Sequence, residues 1–420
     1  MKKDDEDSRL ASFAAYTPLV AALLAPMSTL YDIPALSQPW YAFNGAALPD
    51  PRASLVLSGV SLAMSVIANS LLVLRFSVHV ARLWRFATRL STLAWVIKTC
   101  IGIANLITFG ALARNGPGYS YLEGFWCAIL SVVISGIIST LLVFQFLFHF
   151  NRSPDATIRF QGRTFIVSEL ILFGLIALEA LIFSKIEGWT YLEGIYFSVV
   201  ALLSIGFGDF SPSKTSTKIL LFPFAIAGIA LLSNQVSLIV KASSARRKRR
   251  RQRFARLLDT RRHANLEQSH PETLEGEARR LHRLVQDEEN ASELADLLWS
   301  AVALVVFWLL GALIYRYMES WTYGNALYFN YVFFLTIGFG DYSPETPVGR
   351  VVFVLWALLA VPIMTNFVVQ AIQSIVGCLS PPRCLLTTHT SHAGHALLQV
   401  PHLDDAREAH RATGPRAPVL

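Results

Sequence analysis

Cysteine is scarce in this 420-residue chain: Cys100, Cys127, Cys378 and Cys384 are the full complement. No two of them form a C-x-x-C pair and the first two lie inside apolar runs, which leaves neither a zinc site nor a disulfide framework to build on. Cys378 and Cys384 flank SPPR after the last apolar run, where a palmitoyl anchor competes with the simpler reading of a plain thiol. Charge is also sparse, at 15 % of residues against 53 % hydrophobic, with a mean hydropathy of +0.45. That balance excludes an ordinary soluble domain. No leading apolar run carries arginine at every third position, so a conventional voltage sensor is not supported. A cleavable leader is not visible either, because MKKDDEDSR is mixed in charge and the apolar stretch after it is long.

The charge that is present is concentrated. Lys241 to Arg262 holds eleven basic residues against the single Asp259, so this segment carries about +10 of the net +7 and leaves the remainder near −3. Its core, Arg246 to Arg253, reads as a juxtamembrane segment facing anionic lipid, with no nucleic-acid role. Eight apolar runs approach or exceed the ~20 residues that cross a bilayer. They cover 13–33, 54–76, 88–112, 124–148, 164–186, 216–240, 296–317 and 347–375, the first weakened by Pro18, Pro26 and Asp32. Arginine is richest in the links after the second, fourth and sixth runs, which predicts cytoplasmic N- and C-termini. The glycosylation triplets at Asn151 and Asn290 then face the cytoplasm and stay unused.

One nine-residue segment occurs twice: SIGFGDFSP at Ser204 to Pro212 and TIGFGDYSP at Thr336 to Pro344. Without gaps, the match runs back from these loops to Ala180 and Ala312, an offset of 132, and keeps Glu187/Glu319, Trp189/Trp321, Thr190/Thr322, Tyr191/Tyr323, Tyr196/Tyr328 and Phe197/Phe329. This is an internal duplication. A dozen apolar residues precede each loop, too few to span a membrane and enough for a half-helix whose negative C-terminal end favours a cation. Gly206, Gly208, Gly338 and Gly340 can take positive φ, so successive carbonyls can turn to one side. Ser204 and Thr336 add a hydroxyl at the inner end, and Asp209 and Asp341 close the outer mouth. Ile205, Phe207, Ile337 and Phe339 are expected to point away into packing. Rings of such oxygens replace the hydration shell of K⁺, here through the backbone carbonyls of Ser204, Ile205, Gly206, Phe207, Thr336, Ile337, Gly338 and Phe339. An extracellular turn, good G-D-x-S-P chemistry, leaves the half-helix length and the duplication unexplained.

The expected fold is an all-α integral membrane protein of eight transmembrane helices with two re-entrant pore loops, four leading spans followed by span–pore–span twice. The expected parts are a four-span bundle (1–160), a first pore domain (164–240), a basic cytosolic linker (242–295) with an amphipathic helix near Glu275 to Gln286, a second pore domain (296–376) and a tail (377–420). Pro223 and Gly228 in the first unit, and Pro362 and Thr365 in the second, are candidate gate or hinge positions, proline being equally a packing kink. Lys98 is the one basic residue inside a leading span; it either pairs with Glu169 or the two snorkel separately to the interface. Tyr121 to Gly124 repeats the YLEG of Tyr191 to Gly194 without a following G-x-G-D, and reads as a shared way of entering the membrane.

The two loops resemble the T-V-G-Y-G-D signature of potassium channels. With four leading spans, the layout from about residue 13 to 376 is similar to the fungal outward-rectifying two-pore-domain channels of TOK type. That resemblance implies a K⁺ channel and no enzyme, with no cofactor beyond the permeant ion, in the plasma membrane or an internal one. It implies a pore that opens outward of the K⁺ equilibrium potential. Here serine replaces one signature threonine, and Phe207 and Phe339 replace tyrosine, losing a hydrogen bond behind the loop. Four loops surround a filter and each chain supplies two, so a homodimer is implied. An open two-pore leak channel, a K⁺ transporter of pore-loop ancestry and a non-conducting scaffold are the competing readings.

Overall fold

The computed structural model describes residues 2–78, 80–113, 118–149, 156–266 and 271–379. Four long helices come first: α1 (Lys2–Ser37), α2 (Arg52–Ser77), α3 (Ala81–Leu112) and α4 (Glu123–His149). Two similar units follow. The first is α5 (Ala156–Glu187), the half-helix α6 (Tyr191–Leu202) and α7 (Thr215–Leu266); the second is α8 (Pro271–Met318), the half-helix α9 (Tyr323–Phe334) and α10 (Pro347–Leu379). Among the described residues, eight helices are long and apolar enough to cross a membrane, from Thr17–Ser37 to Pro347–Ile375. The protein is a multi-pass membrane protein. Residues Met1–Ile372 form one unit and Gln373–Leu420 a second.

A small antiparallel sheet, absent from the sequence expectation, joins the α1–α2 and α3–α4 links. Its strands are β1 (Tyr41–Phe43), β2 (Ala46–Ala47) and β3 (Tyr119–Tyr121), in the order β2-β1-β3. Trp40 anchors it, donating its indole N–H to the Ala35 carbonyl at 2.7 Å and packing on Phe109 with centroids 4.8 Å apart.

Lipid tails are as apolar as leucine, so membrane helices associate through small residues and hydrogen bonds. The leading helices show this directly. The buried face of α2 is a stripe of Ser54, Ser58, Ser61, Ser65, Asn69 and Arg75. Along it, Ser54 donates to Asn105 of α3 at 2.8 Å, Asn105 donates to Ser58 at 2.9 Å, and Asn69 donates to Thr29 of α1 at 2.8 Å. Arg75 donates to Gln145 of α4.

At the centre of this bundle the structure corrects both readings of Lys98. Its ammonium is fully buried and its ionic partner is Asp32 of α1, 3.5 Å away. It also donates to Ser28 and Ser131, at 2.8 and 2.6 Å. Asp32 in turn accepts from Ser131 at 2.5 Å and from Ser65. Four helices thus meet on one charge pair, because a lone ammonium in hydrocarbon is far costlier than a paired and hydrogen-bonded one. Glu169 lies elsewhere, on the wall of a cavity of about 20 Å³ shared with Gln235, Leu358 and Pro362. The aspartate that weakened the first span by composition is therefore the counter-ion that holds it in place.

Outside 267–270, the segment 242–295 is helical: it continues α7 as far as Leu266 and begins α8 at Pro271. The side chains of Arg246 to Arg253, Asn290 and Cys378 lie outside the described residues, as do Asn151, Cys384 and the remainder of the tail.

Candidate functional site

Each half-helix starts on a threonine. Thr190 caps α6 with a reciprocal box: its hydroxyl accepts the Glu193 N–H at 3.1 Å, and Glu193 accepts the Thr190 N–H at 2.8 Å. Thr322 caps α9 by accepting the Asn325 N–H at 3.3 Å, and Asn325 does not complete the box. Both helices end where a non-glycine residue enters the left-handed region, Ser204 at φ 55° and Thr336 at φ 53°. From there every second residue is left-handed: Gly206 (67°) and Gly208 (83°) in the first loop, Gly338 (57°) and Gly340 (77°) in the second. Sequence reasoning found the glycines and missed the serine and threonine, whose left-handed backbone begins each alternation at the cost of strain.

The repeated residues around the loops acquire separate tasks. Trp189 packs on Phe197 and Phe210, with centroids 5.2 and 5.5 Å away, and Trp321 on Phe329 and Tyr342 at 5.1 and 5.2 Å. Tyr196 donates its hydroxyl to Asp209 at 2.8 Å, tying the outer end of the loop to its half-helix. Glu187 accepts the backbone N–H groups of Ser213 and Lys214 at 3.0 and 3.1 Å; Glu319 accepts those of Glu345 and Thr346, both at 3.2 Å. Each glutamate therefore receives chain leaving the loop, just ahead of α7 or α10.

The two loops lie side by side. A Cβ at Gly338 would overlap the Ile205 carbonyl oxygen, and one at Gly340 the Phe207 carbonyl oxygen. Glycine is needed there for space as well as for φ, whereas Gly206 and Gly208 meet nothing within 4 Å in the single chain. Ile205 and Phe207 turn into packing, the latter stacked on Phe329 of α9 at 5.7 Å and close to Phe353 of α10 at 5.5 Å. Their counterparts do not: Ile337 is 43 % and Phe339 65 % exposed.

The Ion channel family model (Ion_trans_2) matches residues 165–244 and 302–376, one match per unit. A human potassium channel, subfamily K member 17, is 28 % identical over 154 residues, 37 % of this chain and 38 % of that protein. Two pore potassium channel a of Oryza sativa subsp. japonica is 26 % identical over 176 residues, 42 % of this chain and 46 % of its own length. Mouse subfamily K member 10 is 54 % identical over a shorter stretch of 46 residues, 11 % of this chain and 8 % of that one. Over part of its length the chain is similar to two-pore potassium channels. It spans less than half the length of these curated relatives, which are channels and not enzymes.

Below the inner ends of the two loops lies a cavity of about 180 Å³, with Ile205, Thr336, Val361, Met364 and Thr365 among its walls. Of the four candidate hinge positions, Thr365 thus faces the cavity beneath Thr336. Pro362 lies within the continuous helix α10 and Pro223 within α7. Gly228 allows close approach: a Cβ there would overlap the Leu202 side chain at the end of α6.

Proposed function

We propose that this chain forms a potassium-selective channel as a homodimer, with Ser204 to Asp209 and Thr336 to Asp341 as two quadrants of one selectivity filter. The observation that carries the reading is the alternation of left-handed residues along both loops. Such alternation turns consecutive carbonyls toward one side, where a ring of oxygens substitutes for the hydration shell of K⁺. The carbonyls of Ser204, Ile205, Gly206 and Phe207, and of Thr336, Ile337, Gly338 and Phe339, would supply those oxygens. Half-helices ending at the loops add the negative end of their dipoles.

The dimer is supported by the unequal surroundings of the loops. One chain covers Ile205 and Phe207 with its own α9 and α10 and leaves Ile337 and Phe339 bare. A second copy related by a twofold axis, placing its α6 and α7 against them, completes four quadrants. Exposed apolar residues on α7, Ile219, Phe222, Ile226 and Ile229, lie on the helix that this arrangement would cover.

Four helices ahead of the first pore unit favour the outward-rectifying TOK type over an open leak channel. The pattern of basic links supports cytoplasmic termini, with filter mouths outside and Arg246 to Arg253 against anionic lipid; the plasma membrane is the proposed site. Pro223, Gly228, Pro362 and Thr365 remain the proposed positions for bending of the inner helices. Current recorded in cells without other K⁺ conductances tests the reading. The reversal potential should follow the K⁺ gradient, and activation should shift with external K⁺. A reversal potential indifferent to K⁺ overturns the channel reading, and activation indifferent to external K⁺ overturns the rectifier.

A further inference from the structure

The two copies of the YLEG tetrapeptide, one in the leading bundle and one in the first unit, come together on a single residue. Its two glutamates, Glu123 at the start of α4 and Glu193 in the first turn of α6, converge on one guanidinium. Arg350 of α10 places Nη1 3.1 Å from Glu193 and 3.7 Å from Glu123. Thr190, the cap of α6, joins the same group by donating its hydroxyl to Glu123 at 3.1 Å. The three charged side chains are mostly buried, with 20 % exposure for Arg350 and Glu193 and 13 % for Glu123. Without the cation, two carboxylates would face each other across Thr190.

Arg350 also reaches both loops. Its guanidinium lies over the ring of Phe210 at 5.1 Å, and the Phe210 N–H donates to Asp209 at 3.0 Å. Its Nε donates to the carbonyl of Pro344 at 3.2 Å, three residues beyond Asp341. A planar, five-donor, permanently charged group is suited to such a junction. The second unit lacks the arrangement: at the offset of 132, Glu193 becomes the half-buried Asn325, and Arg350 corresponds to the exposed Lys218. The leading bundle also meets this helix where the Tyr31 hydroxyl donates to the Val351 carbonyl at 2.8 Å.

We propose that Arg350, held between Glu123 and Glu193, is the positioning residue through which the four leading helices stabilise the outer end of the filter. The proposal rests on the filter reading above. In this role Glu123 transmits the position of α4, Glu193 that of the first half-helix, and Arg350 passes both to the segments that follow the two GFGD sequences. The bundle then governs how long the filter stays conducting and leaves ion choice to the carbonyls.

The test uses the full-length chain as wild type, Glu123→Gln, Arg350→Gln, the double variant and Arg350→Lys. In voltage clamp, each single Gln variant should speed decay of current during sustained depolarisation in low external K⁺ by about tenfold, with the reversal potential unchanged. The double variant should decay no faster than the single ones, and Arg350→Lys should stay within about threefold of wild type. Additive effects of the two substitutions, or a Lys variant as fast as Gln, overturn the proposal. Hydrogen exchange on the purified proteins in lipid nanodiscs reads the same coupling without current. Glu123→Gln should raise exchange at 190–193 and 210–214 as well as at α4, and a rise confined to α4 overturns the proposal. A wild type without K⁺ current would sink the filter reading by itself, and the exchange result would still decide whether the junction transmits.

Discussion

The two repeated units carry almost the same loop in different surroundings. In the first, α1 and α2 pack on the outer helix α5, and the half-helix α6 is buried nearly throughout. In the second, α8 packs on its half-helix α9 but keeps an outward face uncovered, with Trp299 and Tyr317 about three-quarters exposed. Behind the half-helices the units exchange volume. Glu179 of α5 is fully buried near the small Ser198, whereas the corresponding Gly311 has no room for a Cβ because Asn330 and Trp356 fill the space. Duplication thus preserved the residues that build the loop and released those that face neighbours. Each loop needs the same backbone, but each outer helix meets a different partner.

The largest expected effect probes the equivalence of the loops. Gly338→Ala places a Cβ on the Ile205 carbonyl and forces alanine into left-handed backbone, which itself costs roughly 1–2 kcal/mol. Loss of all K⁺ current is expected. Gly206→Ala has free space in the single chain but would meet a second copy's loop in the proposed dimer, so it should be equally silent. Preserved current in Gly206→Ala, recorded beside silent Gly338→Ala, would break the proposed symmetry.

Next in size are the apolar residues beside the loops. Removing a buried phenylalanine costs about 3–5 kcal/mol, and Phe339, 65 % exposed in the single chain, would be buried only by the proposed assembly. Phe339→Ala should therefore shift the dimer toward monomer by at least tenfold in mass photometry, while Phe207→Ala lowers the thermal stability of the chain itself. Equal effects on assembly would remove the distinction between covered and uncovered loop.

Within the leading bundle, Lys98→Met strands Asp32 and should cost about 3–5 kcal/mol, with most of it recovered in Lys98→Met/Asp32→Leu. Thermal unfolding in detergent measures both. Exchanging charges between Lys98 and Glu169 should give no rescue, since Asp32 is the partner. The smallest effect sharpens the volume exchange. Gly311→Ala overpacks Asn330 and should cost about 1–3 kcal/mol; adding Asn330→Ser, the residue of the first unit, should return much of it.

Much of the fold was legible beforehand for reasons that live within single segments. Hydrophobic length marks a crossing helix whatever its neighbours, so all eight spans were found, including the doubtful first. The G-F-G-D loops were legible because few residues tolerate alternating left-handed backbone. The β1–β3 sheet was not, since strands of two or three residues carry too little pattern. Arg350 was equally hidden, although the repeated YLEG was the signal available: it marked both glutamates and gave no hint of their shared cation.

By itself the sequence determined the number of spans, the duplication, and the two loops with their glycines. These follow from covalent geometry and from the length of chain that a bilayer demands. Tertiary structure alone decided which acid neutralises Lys98, which glutamates meet Arg350, and which loop keeps its apolar residues exposed in the single chain. Helical periodicity fixes neighbours three and four residues apart on one helix. It says nothing about which face of another helix, 60 or 150 residues away, comes to rest against them.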